Sequence, residues 1–253
     1  MSIDLHCHVL AGIDDGPDSL EGSVALARAA VAAGTTIVVA TPHVSSRYQN
    51  DPSTITARVD ELNRRLIAEG VPLQVLCGAE IALARLAHIE PDGLSGLTLG
   101  AGRSLLVEAP FAPSVNGLDS LISDLQRQGY RVVLAHPERC GAFHRDRRAL
   151  ESLVHGGALT SITAGSLVGR FGARVRRFAL GLVRDQLVHN VASDAHDSTL
   201  RPPGIAAELR QAGIASLAAW LTLEVPRARM RDRGPARHRA RTDSLIEKAI
   251  GAC

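Results

Sequence analysis

The stretch Ser2-Ile3-Asp4-Leu5-His6-Cys7-His8 opens the chain with a short apolar run that ends in two histidines. Side chains alternate along a β-strand, so His6 and His8 project to the same side and can reach one metal ion, while Cys7 faces away. A histidine pair with this spacing is common by chance, and its meaning depends on the rest of the chain. The stretch predicts a first strand near 3–6 that carries two potential ligands at its downstream end.

Acidic and imidazole side chains also follow the later apolar runs. The residues in these positions are His43, Glu80, Glu108, His136, Asp194 and His196. In a barrel of parallel strands all the C-terminal ends open onto one face, so residues far apart in sequence converge there. A mixture of imidazole and carboxylate groups suits two or more divalent ions rather than a single structural zinc.

A turn-forming segment with two carboxylates, Gly12-Ile13-Asp14-Asp15-Gly16-Pro17, separates the first strand from the first predicted helix. Either acid could cap the turn or the helix that follows it. We expect Asp15 to be a metal ligand and Asp14 to have a structural role.

Short apolar runs alternate with amphipathic stretches along the chain, which is typical of β-α-β units and a parallel sheet. Capping residues such as Ser19 and Asp51, and the glycines Gly34 and Gly70, mark helix ends. The predicted helices cover 18–33, 51–70, 116–128, 147–155 and 173–186. The predicted strands lie near 3–6, 36–40, 73–77, 104–108, 131–135, 159–163 and 189–193. These seven strands are one fewer than a full eight-stranded (β/α) barrel contains.

The chain has 253 residues, of which 45% are hydrophobic, enough to bury the core of one large α/β domain. Its net charge of +2 is too small to indicate nucleic-acid or membrane binding. No apolar run approaches the ~18 residues of a membrane span, and no signal peptide precedes Asp4, so we expect a cytoplasmic protein. The four cysteines lack C-x-x-C spacing and predict neither a disulfide framework nor a zinc knuckle.

The C-terminal stretch differs in composition, because arginines dominate it and apolar side chains are few up to Arg241. We predict a catalytic body over 1–226 and a basic tail over 227–253 that could end in a helix over 243–250. A solvated surface segment is the simplest interpretation of this tail. Contact with nucleic acid, an acidic partner or anionic lipid is the alternative.

Six segments, in this order and spacing, resemble the polymerase and histidinol phosphatase (PHP) superfamily. They are D-L-H-C-H from Asp4, G-I-D-D-G-P from Gly12, A-T-P-H from Ala40, G-A-E from Gly78, A-H-P-E-R from Ala135 and A-S-D-A-H from Ala192. The likeness is greatest to the bacterial branch of metal-dependent protein tyrosine phosphatases that are encoded with capsule and exopolysaccharide genes. It runs from Met1 to about Pro226 and implies a distorted seven-stranded (β/α) barrel. The arginine-rich stretch beyond departs from the short ending usual in this branch.

By motif, the resemblance implies three metal positions, the first two of which share Glu80. The first would be held by His6, His8, Glu80 and Asp194, the second by Glu80, Glu108 and His136, and the third by Asp15, His43 and His196. Manganese is the implied metal, with iron and zinc as alternatives. Arg139 and Arg201 match the phosphate-binding arginines of this branch.

The resemblance further implies that a metal-activated hydroxide hydrolyses phosphotyrosine, and that the substrate is a bacterial tyrosine kinase controlling capsule or exopolysaccharide synthesis. The general acid stays open between Asp197 and a metal-bound water. A cysteine nucleophile is excluded, because no cysteine begins a C-x5-R loop: the sixth residues after Cys7, Cys77 and Cys140 are Ile13, Leu83 and Asp146.

Two other functions remain as alternatives at this stage. One is a small-molecule phosphatase such as histidinol-phosphate phosphatase, or a PHP-type phosphodiesterase or exonuclease, which would use similar metals. The other is a catalytically silent binding module. The intact set of five histidines and four acids argues against a silent module, because such a cluster is costly to bury without metal.

Overall fold

The structure is a computed structural model that describes residues 1–100, 102–109 and 117–231. Nine strands follow one another within these residues. They are β1 (Ser2–Cys7), β2 (Thr35–Ala40), β3 (His43–Val44), β4 (Gln74–Cys77), β5 (Glu80–Ala82), β6 (Ser104–Glu108), β7 (Arg131–Ala135), β8 (Leu159–Thr163) and β9 (Asn190–Ala192). The seven predicted strands agree with the structure to within two residues, and the short strands β3 and β5 were not predicted.

Most of the helices lie between the strands, and the last two follow β9. They are α1 (Leu20–Ala32), α2 (Pro52–Ala68), α3 (Leu83–Leu86), α4 (Pro91–Ser95), α5 (Leu118–Arg127), α6 (Gly141–Arg145), α7 (Arg147–His155), α8 (Ala164–Leu167), α9 (Ala173–Arg184), α10 (Ile205–Gln211) and α11 (Val225–Arg231). Helix α2 shows the two signals that predict a helix from sequence. The Asp51 side chain caps its start by accepting from the Thr54 N–H at 2.8 Å. Ile55, Val59 and Leu62 form its buried apolar face. The five predicted helices begin and end within two residues of α1, α2, α5, α7 and α9.

All the strand pairings are parallel, and they form two sheets within the described residues. One sheet has the order β1-β2-β4, and the other has the order β3-β5-β6-β7-β8-β9. The fold is therefore mixed α/β with parallel sheets, and the predicted distorted seven-stranded barrel is not confirmed, because the described strands form no closed barrel. The sheets separate at breaks in two neighbouring strands. One break is at Thr41-Pro42, where the proline has no N–H to donate to a ladder, and the other is at Gly78-Ala79.

The two sheets meet where β1 and β9 end. The N–H of Asp194 donates to the His6 carbonyl at 2.8 Å, and the N–H of His8 donates to the Ala195 carbonyl at 2.9 Å. A single bridge between Cys7 and Ala195 accompanies these bonds. This seam places the first and the last predicted ligands side by side.

Buried side chains of both sheets form a small apolar cluster, which includes Ile3 and Leu5 of β1, Leu106 of β6 and Val133 of β7. Met230 of α11 is buried in the same cluster. A Cβ at Gly102 would clash with the Arg229 carbonyl oxygen, so the chain before β6 and α11 are in close contact.

Helix α11 spans the expected boundary between the catalytic body and the tail. The tail was expected to start at residue 227, which falls inside α11, while residues 232–253 and the helix expected over 243–250 lie outside the described residues. Among the described residues, no helix combines the length and apolar character that crossing a membrane requires.

Candidate metal centre

All nine predicted ligands converge at the C-terminal ends of the strands. Their donor atoms form four overlapping groups, in each of which all atoms lie within 4.8 Å of one another. The groups are His8, Asp15, His43 and His196; His6, His8 and Asp194; His6, Glu80 and His136; and His43, Glu80 and Glu108. Because His6, His8, His43 and Glu80 each belong to two groups, the structure shows one continuous cluster of donors.

The inner part of the cluster brings two imidazoles close to two carboxylates. His6 Nε2 lies 3.2 Å from His8 Nε2, 3.2 Å from Glu80 Oε2 and 3.4 Å from Asp194 Oδ1. His8 Nε2 lies 3.3 Å from Glu80 Oε2 and 3.6 Å from Asp194 Oδ1. Each carboxylate oxygen therefore lies within 3.2–3.6 Å of both imidazole nitrogens, close enough for the two nitrogens and either oxygen to bind one ion.

Glu80 is the central carboxylate. Its Oε2 atom is buried without a hydrogen-bond partner and faces nitrogen atoms of His6, His8 and His43 at 3.2–3.3 Å. Its Oε1 atom lies 2.7 Å from His136 Nε2. A buried carboxylate oxygen without a partner is unfavourable, and a divalent ion shared with the imidazoles would satisfy it. The donors present therefore fit a metal centre.

The outer part of the cluster opens towards solvent. Asp15 Oδ1 lies 3.4 Å from both His43 Nε2 and His196 Nε2, and the Asp15 side chain is 46% exposed. These three residues lie together as the third predicted position requires. In the second predicted set Glu108 Oε1 and His136 Nε2 are 3.8 Å apart, and each belongs to a different group around Glu80.

Asp14 contacts two of the predicted ligand residues, His8 and His43. Its Oδ2 atom lies 2.7 Å from His8 Nδ1 and accepts from the His43 N–H at 3.1 Å, and its Oδ1 atom accepts from the Gly16 N–H at 2.9 Å. A carboxylate on Nδ1 leaves Nε2 bare for a metal. The segment passes so close to β1 that a Cβ at Gly16 would clash with the His8 carbonyl oxygen. Asp14 thus has the structural position and Asp15 faces the cluster.

Asp4 is a supporting residue that sequence reasoning did not single out. Its buried carboxylate accepts from the N–H of His6 at 3.2 Å and from the N–H and hydroxyl of Ser193 at 3.0 and 2.5 Å. These bonds fix the backbone of β1 beside His6 and the backbone next to Asp194. Its place as the third residue of β1, two residues before His6, was the available signal.

Two residues of the cluster have a left-handed backbone. His136 has φ = 31° and Asp194 has φ = 51°, whereas the only other non-glycine residue with positive φ in the described chain is Gln186. Such conformations are unfavourable by about 1–3 kcal/mol each and often occur at functional sites. The strain at both positions aims a donor into the cluster.

Arg139 and Arg201 converge on one oxygen of Asp194. Their terminal nitrogens lie 2.5 and 2.7 Å from Asp194 Oδ2, while the other oxygen, Oδ1, faces His6 and His8. The Arg139 guanidinium also lies 4.5 Å from the ring centroid of Phe171. The Arg201 Nε atom is buried without a partner. Both arginines are therefore held at the cluster, and each keeps N–H groups that Asp194 does not use.

The electrostatics of the cluster favour a cation. Burial lowers the pKa of His8, but the hydrogen bond to Asp14 and the nearby Glu80 carboxylate outweigh it and raise the pKa to about 10. Burial opposes ionisation of Glu80, but the charges on His6 and His136 hold its pKa well below the usual value. Burial lowers the pKa of His43, so this imidazole is a neutral donor. The carboxylates that attract a proton to His8 attract a divalent ion in the same way, and metal binding would release that proton.

Asp197, one of the two candidates for the general acid, caps a turn. Its Oδ1 atom accepts from the N–H groups of Thr199 and Leu200 at 2.7 and 2.5 Å, and its Oδ2 atom accepts from the Arg201 N–H at 3.2 Å. Burial disfavours its charged form, but these bonds outweigh burial and lower the pKa. An ionised carboxylate cannot donate a proton, so Asp197 is poorly suited to act as the acid.

Comparison with known proteins places the cluster in context. Residues 2–212 match the family model for capsular polysaccharide synthesis, CpsB/CapC. The tyrosine-protein phosphatase YwqE of Bacillus subtilis is 41% identical over 202 residues, which cover 79% of each chain. The tyrosine-protein phosphatase CpsB of Streptococcus pneumoniae is 31% identical over 210 residues, covering 79% of this chain and 85% of CpsB.

A solved structure of the same kind superposes closely. It belongs to a study of YwqE from Bacillus subtilis and CpsB from Streptococcus pneumoniae, described there as unique metal-dependent tyrosine phosphatases. The TM-score is 0.82 at 36% identity, over 93% of this chain and 97% of the other. A lactonase from Listeria monocytogenes, at 12% identity and a TM-score of 0.59, shares the fold alone.

Proposed function

The chain belongs to the CpsB/CapC family of capsular polysaccharide synthesis, and on this premise we propose that it is a metal-dependent protein-tyrosine phosphatase, a phosphoric monoester hydrolase. The observation that carries the proposal is the buried Glu80 carboxylate, one oxygen of which has no hydrogen-bond partner and faces three imidazoles. Two arginines reach the edge of the same cluster. This arrangement suits a phosphoryl group bound between metal ions and guanidinium groups.

The nine donors would hold two or three divalent ions. His6, His8, Glu80, Asp194, Asp15, His43, His196, Glu108 and His136 are the proposed ligands, with Glu80 shared. We favour Mn²⁺, because a mixed set of neutral imidazoles and carboxylates suits it, with iron and zinc as alternatives. Such ions, when bound, lower the pKa of water towards neutrality and neutralise phosphoryl oxygens.

The protein's own side chains would bind and orient the phosphate. Arg139 and Arg201 have N–H groups left over beside Asp194, and a planar guanidinium can donate to two phosphoryl oxygens. Asp194 keeps both arginines in place without occupying all of their donors. We therefore assign Arg139 and Arg201 to substrate binding and to stabilising the charge that develops in the transition state.

The leaving group favours tyrosine. A phenol has a pKa near ~10, far below that of an alkyl alcohol, so it departs with little protonation. No strong general acid is then required, which agrees with the ionised state of Asp197. The substrate we propose is a phosphotyrosine protein, specifically a bacterial tyrosine kinase that regulates capsule or exopolysaccharide synthesis.

Three further assignments extend this proposal. We infer that the two parallel sheets are parts of one distorted seven-stranded barrel, joined where β1 meets β9. We place the enzyme in the cytoplasm, where a cytoplasmic kinase would meet it. We treat the segment after residue 226 as accessory to catalysis, because all nine proposed ligands precede it in the chain.

The function is tested by comparing substrates on the purified full chain. At fixed Mn²⁺ and moderate salt, kcat/KM should be higher for a phosphotyrosine peptide than for a phosphoserine peptide, histidinol phosphate or single-stranded DNA. A chelator should abolish activity, and Mn²⁺ should restore it. A tenfold or greater preference for histidinol phosphate, about 1.4 kcal/mol in transition-state binding, would move the protein to small-molecule metabolism.

Two substitutions separate metal binding from substrate binding. His136→Ala should lower metal content and turnover together. Arg139→Lys should keep the metals and lower kcat/KM, by about 1–3 kcal/mol for a lost charge-assisted contact. Exposed Asp18 provides the matched control, since Asp18→Asn should change neither. Wild-type activity in both Arg139→Lys and Arg201→Lys would refute the phosphate-binding role.

A further inference from the structure

A tight turn at the rim of the metal centre carries an exposed arginine. The turn covers 44–49 and is closed by an antiparallel bridge between Val44 and Gln49. The Ser45 N–H donates to the Tyr48 carbonyl at 2.8 Å, and the Ser45 hydroxyl oxygen accepts from the N–H groups of Arg47 and Tyr48 at 3.2 and 3.1 Å. These bonds fix the backbone from which the Arg47 side chain projects.

Asn50 ties this turn to the metal centre. Its side-chain amide donates to the carbonyl of His43 at 2.8 Å and to the carbonyl of Ile13 at 2.9 Å. His43 belongs to the donor cluster, and Ile13 precedes the two aspartates of the Gly12–Pro17 segment. The turn therefore cannot shift without disturbing both.

Stacked side chains fix the position of the arginine as well. The Tyr48 ring stacks on the His43 ring at a centroid distance of 5.7 Å and an angle of 12°. The Arg47 guanidinium carbon lies 5.0 Å from the Tyr48 centroid, within the range of a cation–π contact. Joined end to end, these two distances keep the guanidinium within about 11 Å of the His43 ring.

The charge on Arg47 is available to a ligand. Other exposed arginines, such as Arg58 and Arg127, form salt bridges with nearby acids. Arg47 is exposed, and none of the salt bridges among the described residues includes it. A fixed cation beside the site, without an acid of its own, can bind an external anion.

We propose that Arg47, positioned by Tyr48, binds the carboxylate of an acidic residue that lies one to three positions from the phosphotyrosine of the substrate. An extended peptide advances ~3.3–3.6 Å per residue, so such residues lie ~3–11 Å along the peptide from the phosphotyrosine. This range is similar to the distance of up to about 11 Å between the Arg47 guanidinium and the His43 ring. A guanidinium can bind a carboxylate through two parallel hydrogen bonds. The inference rests on the proposed phosphatase function and adds a sequence preference to it.

The test uses phosphotyrosine peptides of equal length with glutamate, glutamine or lysine as flanking residues. With the Mn²⁺-loaded full chain at low salt, kcat/KM should favour the glutamate peptide over the glutamine peptide by up to about fivefold, through KM, as expected for an exposed ion pair. Arg47→Gln should abolish this preference, and Arg47→Glu should favour the lysine peptide. Arg64→Gln is the control, because Arg64 is an exposed arginine on α2, the helix that leads away from this rim.

Two further measurements sharpen the result. Tyr48→Phe keeps the ring and should keep the preference, whereas Tyr48→Leu should lose it at equal metal content. Raising the salt concentration should reduce the preference in the wild type, because salt screens exposed charges.

The outcomes are distinguishable. Equal cleavage of the glutamate and glutamine peptides by the wild type would overturn the role of Arg47 and leave the phosphatase function standing. An unchanged glutamate preference in Arg47→Gln would do the same. Failure to cleave any of the phosphotyrosine peptides would overturn both.

Discussion

Replacing Asp14 with asparagine should weaken metal binding although Asp14 is not a predicted ligand. The carboxylate uses both oxygens: Oδ1 accepts from the Gly16 N–H, and Oδ2 contacts His8 Nδ1 and the His43 N–H. An asparagine has a single acceptor oxygen. Whichever way its amide turns, the NH₂ group faces N–H groups of its neighbours, and a buried donor loses its acceptor.

The magnitude follows from this geometry. A buried donor without an acceptor is unfavourable by about 1–3 kcal/mol, which should appear as lower stability of the metal-free protein. Loss of the carboxylate behind a metal-binding histidine typically lowers metal affinity 10–100-fold. The cause is the tautomer of His8, because only a hydrogen held on Nδ1 leaves Nε2 bare, and Nε2 is the atom that lies 3.2 Å from His6 Nε2 and 3.3 Å from Glu80 Oε2.

The assay is competition for Mn²⁺ between the protein and a chelating indicator, followed by urea unfolding of the metal-free forms. The matched control is Asp18→Asn, which changes the exposed acid directly after the Gly12–Pro17 segment and should bind Mn²⁺ like the wild type. Wild-type Mn²⁺ affinity in Asp14→Asn would refute the argument. An equal loss in Asp18→Asn would show that the segment's charge, rather than the bond to His8, controls affinity.

Three further predictions concern other parts of the molecule. Phe171→Leu should lower kcat/KM about two- to fivefold by freeing Arg139 from its cation–π contact, while Phe171→Tyr should not; equal effects of the two would exclude the contact as the cause. Burial, and secondly the charge of Arg229, lower the pKa of His189 to about 4, so the folded state excludes a proton that the unfolded state takes up below pH ~6.5. The contribution of neutral His189 to the free energy of unfolding is complete above pH ~6.5 and falls by up to about 3 kcal/mol as the pH is lowered to 4. His189→Asn should remove this decrease from the free energies measured by urea unfolding. Parallel pH curves for the wild type and the variant would contradict the prediction. Alkylation of Cys77, the half-buried thiol, should leave turnover intact, and loss of activity with the metal still bound would contradict metal-dependent hydrolysis.

Local patterns predicted most of the secondary structure because the strands and helices are regular and well capped. The strand ends were readable because each apolar run stops at a polar donor, as at Val38-Val39-Ala40 before His43. The breaks at Thr41-Pro42 and Gly78-Ala79 were not readable as strand interruptions, since β3 and β5 contain only two and three residues. Those short strands depend on pairing with each other, which is a tertiary interaction.

The residues that form the cluster were easier to predict from sequence than the hydrogen bonds and ion pairs that hold them in place. Spacing suggested a ligand role for Asp15 and a structural role for Asp14, but not that Asp14 holds His8. Nothing local could show that Arg139 and Arg201 meet on one oxygen of Asp194, because these contacts bring together residues up to 55 positions apart. Tyr48 belongs to none of the sequence motifs, and its stacking on the His43 ring is visible only in the folded chain.

The seam between β1 and β9 also sets when the enzyme can first exist during its own synthesis. Asp4 and its hydrogen-bond partner Ser193 are 189 residues apart in the chain, so Asp4 leaves the ribosome long before Ser193 does. At ~5–20 residues per second, roughly 10–40 s separate the two events. Until then the nascent chain holds two histidines without the carboxylate that completes their site. We therefore expect the complete donor set to assemble only after Asp194 and His196 have been made.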